Sequence, residues 1–339
     1  MSDPGILIVE QVRSALDPEP EYSTELPRGF AWWPWRAPQQ VHAEEVRSQS
    51  GTRLVRVHVD LALALRVEGT GAVFGRLAQW NAARHGLSSA RWDAETGLVS
   101  LHACVTAGAS DAAWAAQRLA HAALLQITES LAASVLTQEL GGEPPADCVP
   151  GGGVREAPSA LSEIGHTYAE RGSLGAALSE SALATVRSAQ PAPWSRIEPA
   201  PGGFHAELPA AAPGDPRPGS APGAGSALLR VQTAQAHPRF GSGLLVLLSA
   251  PVDAEPVSAR FAATAALLNE AEAREWTGLD QLGGWCVHPD AGLVHATFLP
   301  ALVMQEGLIE RLMWQSAARA RWMRGFLARV SQLRTTPGA

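Results

Sequence analysis

The stretch "WDAETGLVSLHA", residues 92–103, decides the fold because its pattern returns in "VHPDAGLVHATF", residues 287–298. Each stretch has an acidic turn, then Gly-Leu-Val, then a short apolar run that contains a histidine. Asp and Gly are residues that a tight hairpin turn favours. The two stretches therefore predict a β-hairpin in each half of the chain, with Asp93, Glu95 and Asp290 in turns rather than in a catalytic carboxylate pair.

The segments around the two hairpins follow one order. Residues 39–46 and 52–63 alternate apolar and polar side chains, which is typical of antiparallel strands with one face in solvent. A helix over 71–86 follows, and a long helix over 110–136 comes after the hairpin. Residues 226–333 repeat this order. The sequence thus predicts an α+β fold of two similar domains, each a twisted antiparallel sheet with helices packed on one face, related by a pseudo-two-fold axis.

The strand over 52–63 shows the alternation most clearly. Val55, Val57 and Val59 lie on one face of it. Arg56, His58 and Asp60 lie on the other, which we expect to be partly in solvent.

Composition marks the boundaries of the two domains. Residues 1–28 are polar and contain prolines, which predicts a lead-in segment, and residues 29–140 form the first domain. Residues 141–159 have the Gly and Pro content of a linker. The second domain covers 160–335, with a disordered low-complexity loop at 209–226.

Charge and composition exclude several classes of function. All 26 basic residues are Arg, so a Schiff-base lysine, a Ser-Lys dyad and a P-loop lysine are excluded. The net charge is −7 and neither half is basic, which argues against nucleic-acid binding. Three widely spaced cysteines fit a reducing compartment. The N-terminus lacks a signal-peptide pattern, and we expect a cytoplasmic protein with no membrane partner.

Other short motifs favour architecture over chemistry. "GTGAVFG", residues 69–75, approaches a dinucleotide-binding turn, but its last glycine is one position late and the preceding strand alternates. Cys286 with His288, and His102 with Cys104, share strand faces and could bind zinc only if the two hairpins met. These pairs fall on different strands of their hairpins. We predict no catalytic residue, no metal and no cofactor.

The Trp-rich stretch "FAWWPWRAP", residues 30–38, is a candidate partner-binding surface. It contains Trp32, Trp33, Trp35 and Arg36, and Trp and Arg are the residue types most enriched at binding hot spots. Adjacent tryptophans in an extended segment point in opposite directions. Either one Trp belongs to the core while the others cover a sheet edge, or the group forms a face for a partner.

The last helix carries the second candidate surface. Arg321 and Arg324 lie in "RARWMRGFLAR", residues 319–329. These side chains either contact an acidic partner or belong to a solvated helix face.

A family resemblance rests on the repeated pattern. Its residues are "LAQWNAARHG" with "ARWDAETGLVSLHACV", and "ALLNEAEA" with "GGWCVHPDAGLVHATFL". Each pair has an asparagine late in a helix, Asn81 or Asn269, and then a hairpin with an acidic Gly turn. This order resembles the YbjN and type III secretion chaperone-like superfamily. The resemblance implies a sheet used to bind peptides or partner proteins, and it supplies no catalytic motif.

We therefore expect a non-enzymatic, chaperone-like protein that binds another protein or a peptide segment, on a sheet face or between the domains. Two alternatives stay open. The chain is a ligand-binding protein or an enzyme that uses the cleft between the domains, or it is a structural subunit of a larger assembly. It would be a monomer with an internal pseudo-dimer, or part of that assembly.

Overall fold

The fold consists of two antiparallel sheets and the helices packed on them. The computed structural model describes residues 3–47, 53–84, 86–131, 133–145, 155, 183–184, 186–188, 192–209, 226–237, 239–249, 259–275, 278, 280–288, 291–305 and 307–335. Each sheet has six strands, which confirms the predicted α+β fold. Of the described helices, none is long and apolar enough to cross a membrane.

The described residues of the first half form six strands and four helices. The strands are β1 (Ser23–Leu26), β2 (Gly29–Trp32), β3 (Gln39–Arg47), β4 (Arg53–Ala64), β5 (Ser89–Trp92) and β6 (Val99–Ala107). The helices are α1 (Pro4–Leu16), α2 (Gly71–Arg84), α3 (Ala112–Ser130) and α4 (Ala133–Glu139). The strand order is β1-β2-β3-β4-β6-β5. Helices α1 and α3 pack on the central strands and bury the valines of β4, including Val55, Val57 and Val59.

The second half repeats this topology. Its strands are β7 (Arg196–Ala200), β8 (Gly203–Leu208), β9 (Ala227–His237), β10 (Gly241–Ser249), β11 (Gly284–His288) and β12 (Gly292–Pro300). The helices of this half with described bounds are α5 (Ala259–Glu275) and α6 (Leu308–Thr335). The order β7-β8-β9-β10-β12-β11 matches that of the first sheet. A pseudo-two-fold axis between the halves stays a prediction.

Both predicted hairpins form, as β5–β6 and β11–β12. Gly97 and Gly292 each have a φ of 66°, a left-handed conformation that glycine adopts without steric cost. In the first turn, Asp93 Oδ1 accepts hydrogen bonds from the backbone N–H groups of Glu95 and Thr96. The acid therefore shapes the turn. Asp290 lies outside the described residues.

The segment expected as a lead-in belongs to the fold. Within residues 1–28, α1 packs against α3 and β1 pairs with β2. The hairpins β1–β2 and β7–β8 were missed because they are short, although both contain a Gly-Phe pair. Phe30 and Phe204 are fully buried. A Cβ on Gly29 would lie 2.0 Å from the Val41 carbonyl oxygen, so the neighbouring strand leaves room for glycine alone.

Two segments predicted from composition lie mostly outside the described residues. These are the linker over 141–159 and the loop over 209–226. Glu143, near the start of the linker, pairs through its backbone with Leu65, which ties that end of the linker to the first sheet.

The polar face of β4 is buried, contrary to the expectation of a half-solvated strand. Arg56 and His58 are as inaccessible as core residues. The second half contributes to this burial, because the Arg56 Nη2 donates to the carbonyl of Ala273 at 2.8 Å. Alternation along β4 predicts correctly which residues share each sheet face. It does not predict that the second half of the chain packs against the polar face.

An asparagine holds the edge strand of each sheet. Asn81 on α2 accepts a hydrogen bond from the backbone N–H of Ala90 at 2.7 Å and donates to its carbonyl at 3.1 Å. Asn269 on α5 makes the same pair of bonds to Trp285, at 2.7 and 2.9 Å. Both asparagines are buried. The late asparagine of each helix therefore fastens that helix to strand β5 or β11.

Replacing Asn269 with alanine is expected to lower the free energy of unfolding by about 2–3 kcal/mol, because the buried N–H and C=O of Trp285 both lose their partner. Urea denaturation followed by circular dichroism measures the loss. The exposed Gln79→Ala change on α2 serves as a control and should cost less than about 0.5 kcal/mol. An Asn269→Ala variant as stable as this control would contradict the bonding role.

Candidate functional site

A groove opens in the first half where α3 ends and α4 begins. The groove has a volume of about 260 Å³. It is lined by Trp35, Arg36, Ala37, Ala62, Leu63, Ser130, Leu131, Ser134, Thr137, Pro144 and Pro145. Among these lining residues Arg36 alone carries a charge, and the rest are apolar or small and polar. The groove thus combines an apolar floor with one cation, which is the composition of a small binding site.

A break in the predicted long helix creates this groove. The Thr128 hydroxyl donates to the Leu125 carbonyl, and the Ser130 hydroxyl donates to the Ile127 carbonyl. Such bonds compete with the backbone ladder of a helix, and α3 ends at Ser130. In the second half, α6 runs without a break.

The helix break corrects one part of the sequence interpretation. The single long helix expected over 110–136 would place Leu131 and Val135 on its apolar stripe. They are 46% and 57% exposed, because the helix ends at Ser130 and α4 starts afresh at Ala133. Both apolar side chains are therefore accessible at or next to the groove.

The four sequence-predicted residues of the Trp-rich stretch separate into core and surface. Trp32 is buried, and its indole N–H donates to Gln39 Oε1 at 2.9 Å. Trp33 is half-buried, with an indole nitrogen that has no hydrogen-bond partner. Trp35 lines the groove, and the exposed Arg36 guanidinium lies 4.5 Å from the centre of its ring. The surface part of the predicted site is therefore Trp35 with Arg36.

Arg321 and Arg324 lie on α6 in the other half and do not line the groove. The Arg324 Nη2 donates to the Pro209 carbonyl at 3.0 Å. Burial lowers the pKa of Arg324, and the charge of Arg321 lowers it further. Arg324 thus contacts the first residue of the low-complexity segment.

Residues 280–281 join the two halves. The backbone of Gln281 pairs with that of Cys104 in a short antiparallel bridge. Asp280 Oδ1 accepts from the Thr106 N–H at 3.2 Å, and Asp280 Oδ2 accepts from Gln315 at 2.7 Å. At residues 280–281 the contact between the halves is made by hydrogen bonds, so its geometry there depends on their pairing.

A buried ion pair lies beside this junction. Glu272 on α5 and Arg319 on α6 are both buried. Glu272 Oε1 accepts from Arg319 Nη2 at 2.7 Å and from Nε at 2.8 Å. Glu272 Oε2 accepts from the indole N–H of Trp285 at 2.9 Å. Each carboxylate oxygen therefore has a partner.

A cluster of histidines and carboxylates occupies the polar face of the first sheet, beside the same junction. His58, Asp60 and His102 offer ligand atoms that all lie within 4.8 Å of one another. His102 Nδ1 lies 2.8 Å from Asp60 Oδ1, and its Nε2 lies 2.8 Å from Gln281 Oε1. The Nε2 of His58 is 3.3 Å from Glu44 Oε1 without a well-aligned hydrogen bond.

The surroundings set the charge states in this cluster. Burial lowers the pKa of His58 to about 4 against the influence of Glu44, so this ring is neutral at pH 7. Burial also lowers the pKa of His42, which stacks on His58 with ring centres 4.8 Å apart. Burial alone would raise the pKa of Asp60, but His102 and Arg91 outweigh it and lower that pKa. Asp60 is therefore ionised.

A second, smaller cavity of about 110 Å³ lies between the halves. It is lined by Ala83, Arg84, Glu129, His237, Arg239 and Phe240. The Glu129 Oε1 is buried without a hydrogen-bond partner. Burial raises the pKa of Glu129 to about 8, although Arg84 and Arg239 act in the opposite direction. Glu129 is therefore mostly protonated at pH 7.

Sequence reasoning missed the residues that complete these sites. Ser130 lies inside the helix expected over 110–136 and Thr137 lies just beyond it, although the "TES" stretch at 128–130 places two hydroxyl residues close together. Gln281 and Asp280 carry no sequence signal, since their role comes from contact with a distant strand.

Comparison of the chain with protein-family models, with curated proteins and with solved structures found no match. The resemblance to the YbjN and type III secretion chaperone-like superfamily therefore stays a prediction.

Proposed function

We propose that this chain is a non-enzymatic, chaperone-like protein that binds a peptide segment of another protein in the groove beside Trp35 and Arg36. The occupant is an extended segment with an apolar side chain next to an Asp or Glu. The observation that carries the proposal is the composition of the groove, which joins an apolar lining to one exposed guanidinium. A cytoplasmic location is part of the same proposal.

The apolar part of the segment would enter the groove. The volume of about 260 Å³ accommodates a single large side chain. Trp35 and Leu131 offer apolar surface that is partly accessible in the free protein. Burial of such surface contributes about 25 cal/mol per Å², so an apolar anchor supplies much of the affinity.

The acidic part of the segment would contact Arg36. The side chain is exposed and stacks on Trp35, which holds the guanidinium at the mouth of the groove. Arg presents donors in a fork that matches a carboxylate. Since the lining residues supply no acidic side chain, the charge of the groove favours an anionic segment.

Selection from a random library of phage-displayed dodecapeptides tests this proposal. The wild-type protein is expected to enrich peptides with an apolar residue beside Asp or Glu. Arg36→Glu should instead enrich peptides with Lys or Arg, because the substitution reverses the charge at the groove while Trp35 and the apolar lining stay.

Arg260→Glu is the matched control, because Arg260 is exposed on α5 in the other half. This variant should keep the wild-type preference. The proposal fails if wild-type protein enriches no common pattern, or if the charge preference is unchanged in Arg36→Glu. It also fails if Trp35→Ala, with an unchanged circular dichroism spectrum, binds the selected peptides as tightly as wild type.

A further inference from the structure

We propose that His58, Asp60 and His102 form a binding site for a divalent transition-metal ion of the zinc type, with Glu44 as the fourth ligand. Imidazole nitrogens and carboxylate oxygens are ligands that Zn²⁺ accepts in four-coordinate sites. The site is separate from the peptide groove, and neither proposal depends on the other.

The sheet itself brings these residues together. In the register of β4 and β6, Asp60 stands directly opposite His102, and His58 stands opposite Cys104. His58 is thus the diagonal neighbour of His102. Glu44 on β3 stands opposite Arg56, two residues along from the His42–His58 pair. Side chains at these positions share one sheet face, so three neighbouring strands supply all four ligands.

The donor atoms are available and nearly in place. The Nε2 of His58 is buried and has no hydrogen-bond partner, and a buried ring nitrogen without a partner is costly unless something binds it. Glu44 Oε1 is already 3.3 Å from this nitrogen. Ligand atoms that all bind one zinc ion at about 2.0–2.2 Å lie roughly 3–3.5 Å from one another. The ligand atoms of His58, Asp60 and His102 lie within 4.8 Å of one another, so these three side chains require movements of about an ångström.

A contact from the second half orients one ligand. Gln281 donates from its amide nitrogen to the Glu272 carbonyl, which directs its amide oxygen towards His102. The His102 Nε2 then donates to that oxygen at 2.8 Å. The Nδ1 is left beside Asp60, where the metal would take the place of a proton. Ligating histidines commonly donate their second N–H to such an acceptor.

Two neighbouring arginine side chains contact carboxylates of the proposed metal site. Arg56 pairs with Glu44 at 3.0 Å, and Arg91 lies 3.8 Å from Asp60. The Arg56 Nη2 also donates to the Ala273 carbonyl, so Arg56 keeps an acceptor when Glu44 turns to the ion. The half-exposed side chain of Glu44 gives the ion a path from solvent.

Isothermal titration of chelator-treated full-length protein with ZnCl₂ tests the site. One ion per chain is expected. His58→Gln and His102→Gln should each weaken binding by at least about 100-fold, since even changes behind a ligand cost 10–100-fold. His205→Gln, on β8 of the second half, is the control and should bind as wild type does.

X-ray absorption at the zinc edge gives a measurement that does not depend on the stability of any variant. Wild-type protein loaded with one Zn²⁺ is expected to show two imidazole ligands with Zn–N distances of about 2.0–2.1 Å. The proposal is overturned by the absence of saturable binding, by a spectrum without imidazole ligation, or by wild-type affinity in both histidine variants.

Discussion

Replacing Arg319 with methionine is expected to destabilise the protein by about 3–5 kcal/mol, because it leaves the buried carboxylate of Glu272 without its counterion. Both side chains are almost inaccessible, and two nitrogens of Arg319 bond to Glu272 Oε1. Arg319 also donates to the Asp280 carbonyl at 2.7 Å. The substitution should therefore also weaken the junction between the halves. Urea denaturation followed by circular dichroism measures the destabilisation.

The double variant Arg319→Met with Glu272→Gln isolates the cost of the unpaired charge. The substituted glutamine side chain is neutral and still presents an oxygen to the Trp285 indole N–H, so most of the lost stability should return. A single variant that costs less than about 1 kcal/mol would show that the pair is dispensable. If the double variant is no more stable than the single variant, the lost stability comes from packing and not from the unpaired charge.

Replacing Glu129 with glutamine is expected to raise stability at alkaline pH. The folded protein holds the pKa of Glu129 at about 8 by burial, against an ordinary value of 4.5. Between these values the unfolded chain releases the proton that the folded protein keeps, so stability falls as pH rises, by at most about 1.4 kcal/mol per pH unit. The full pH-dependent loss of stability is about 5 kcal/mol, and a neutral glutamine side chain removes it.

The pH range of this measurement is set by the histidines. His58, His42 and His295 have pKa values lowered by burial, so the unfolded chain binds more protons than the folded one below about pH 6.5. The contribution of these histidines to the free energy of unfolding therefore rises with pH, whereas that of Glu129 falls. Between pH 6.5 and 8 the Glu129 effect remains, and wild type should lose about 2 kcal/mol there that Glu129→Gln retains. Parallel stability curves for the two proteins over this range would contradict the assignment.

Local patterns predicted the repeated parts of the fold well. The two hairpins and the late asparagines followed from residues close in sequence, because turn chemistry and helix periodicity act over a few residues. The short hairpins β1–β2 and β7–β8 escaped notice because four to six residues carry little periodicity, and only their Gly-Phe pairs marked them.

The candidate sites were harder to predict, because they depend on register and on contacts between distant segments. Trp35 and Arg36 were identified by residue type, but the floor of their groove comes from the helix break after Ser130. His58 and His102 come together through the pairing of β4 with β6. Alternation along each strand predicts the sheet face on which a histidine lies. It does not predict the register that pairs one strand with its neighbour.

The asparagine bonds of α2 and α5 have a consequence for association between molecules. An edge strand with free outward N–H and C=O groups is a template for another strand and a hazard for aggregation. On β5 and β11 those groups are already bonded, at Ala90 by Asn81 and at Trp285 by Asn269. The amide side chains thus act as caps against sheet extension. They oppose the pairing of a strand from a second molecule with Ala90 or with Trp285.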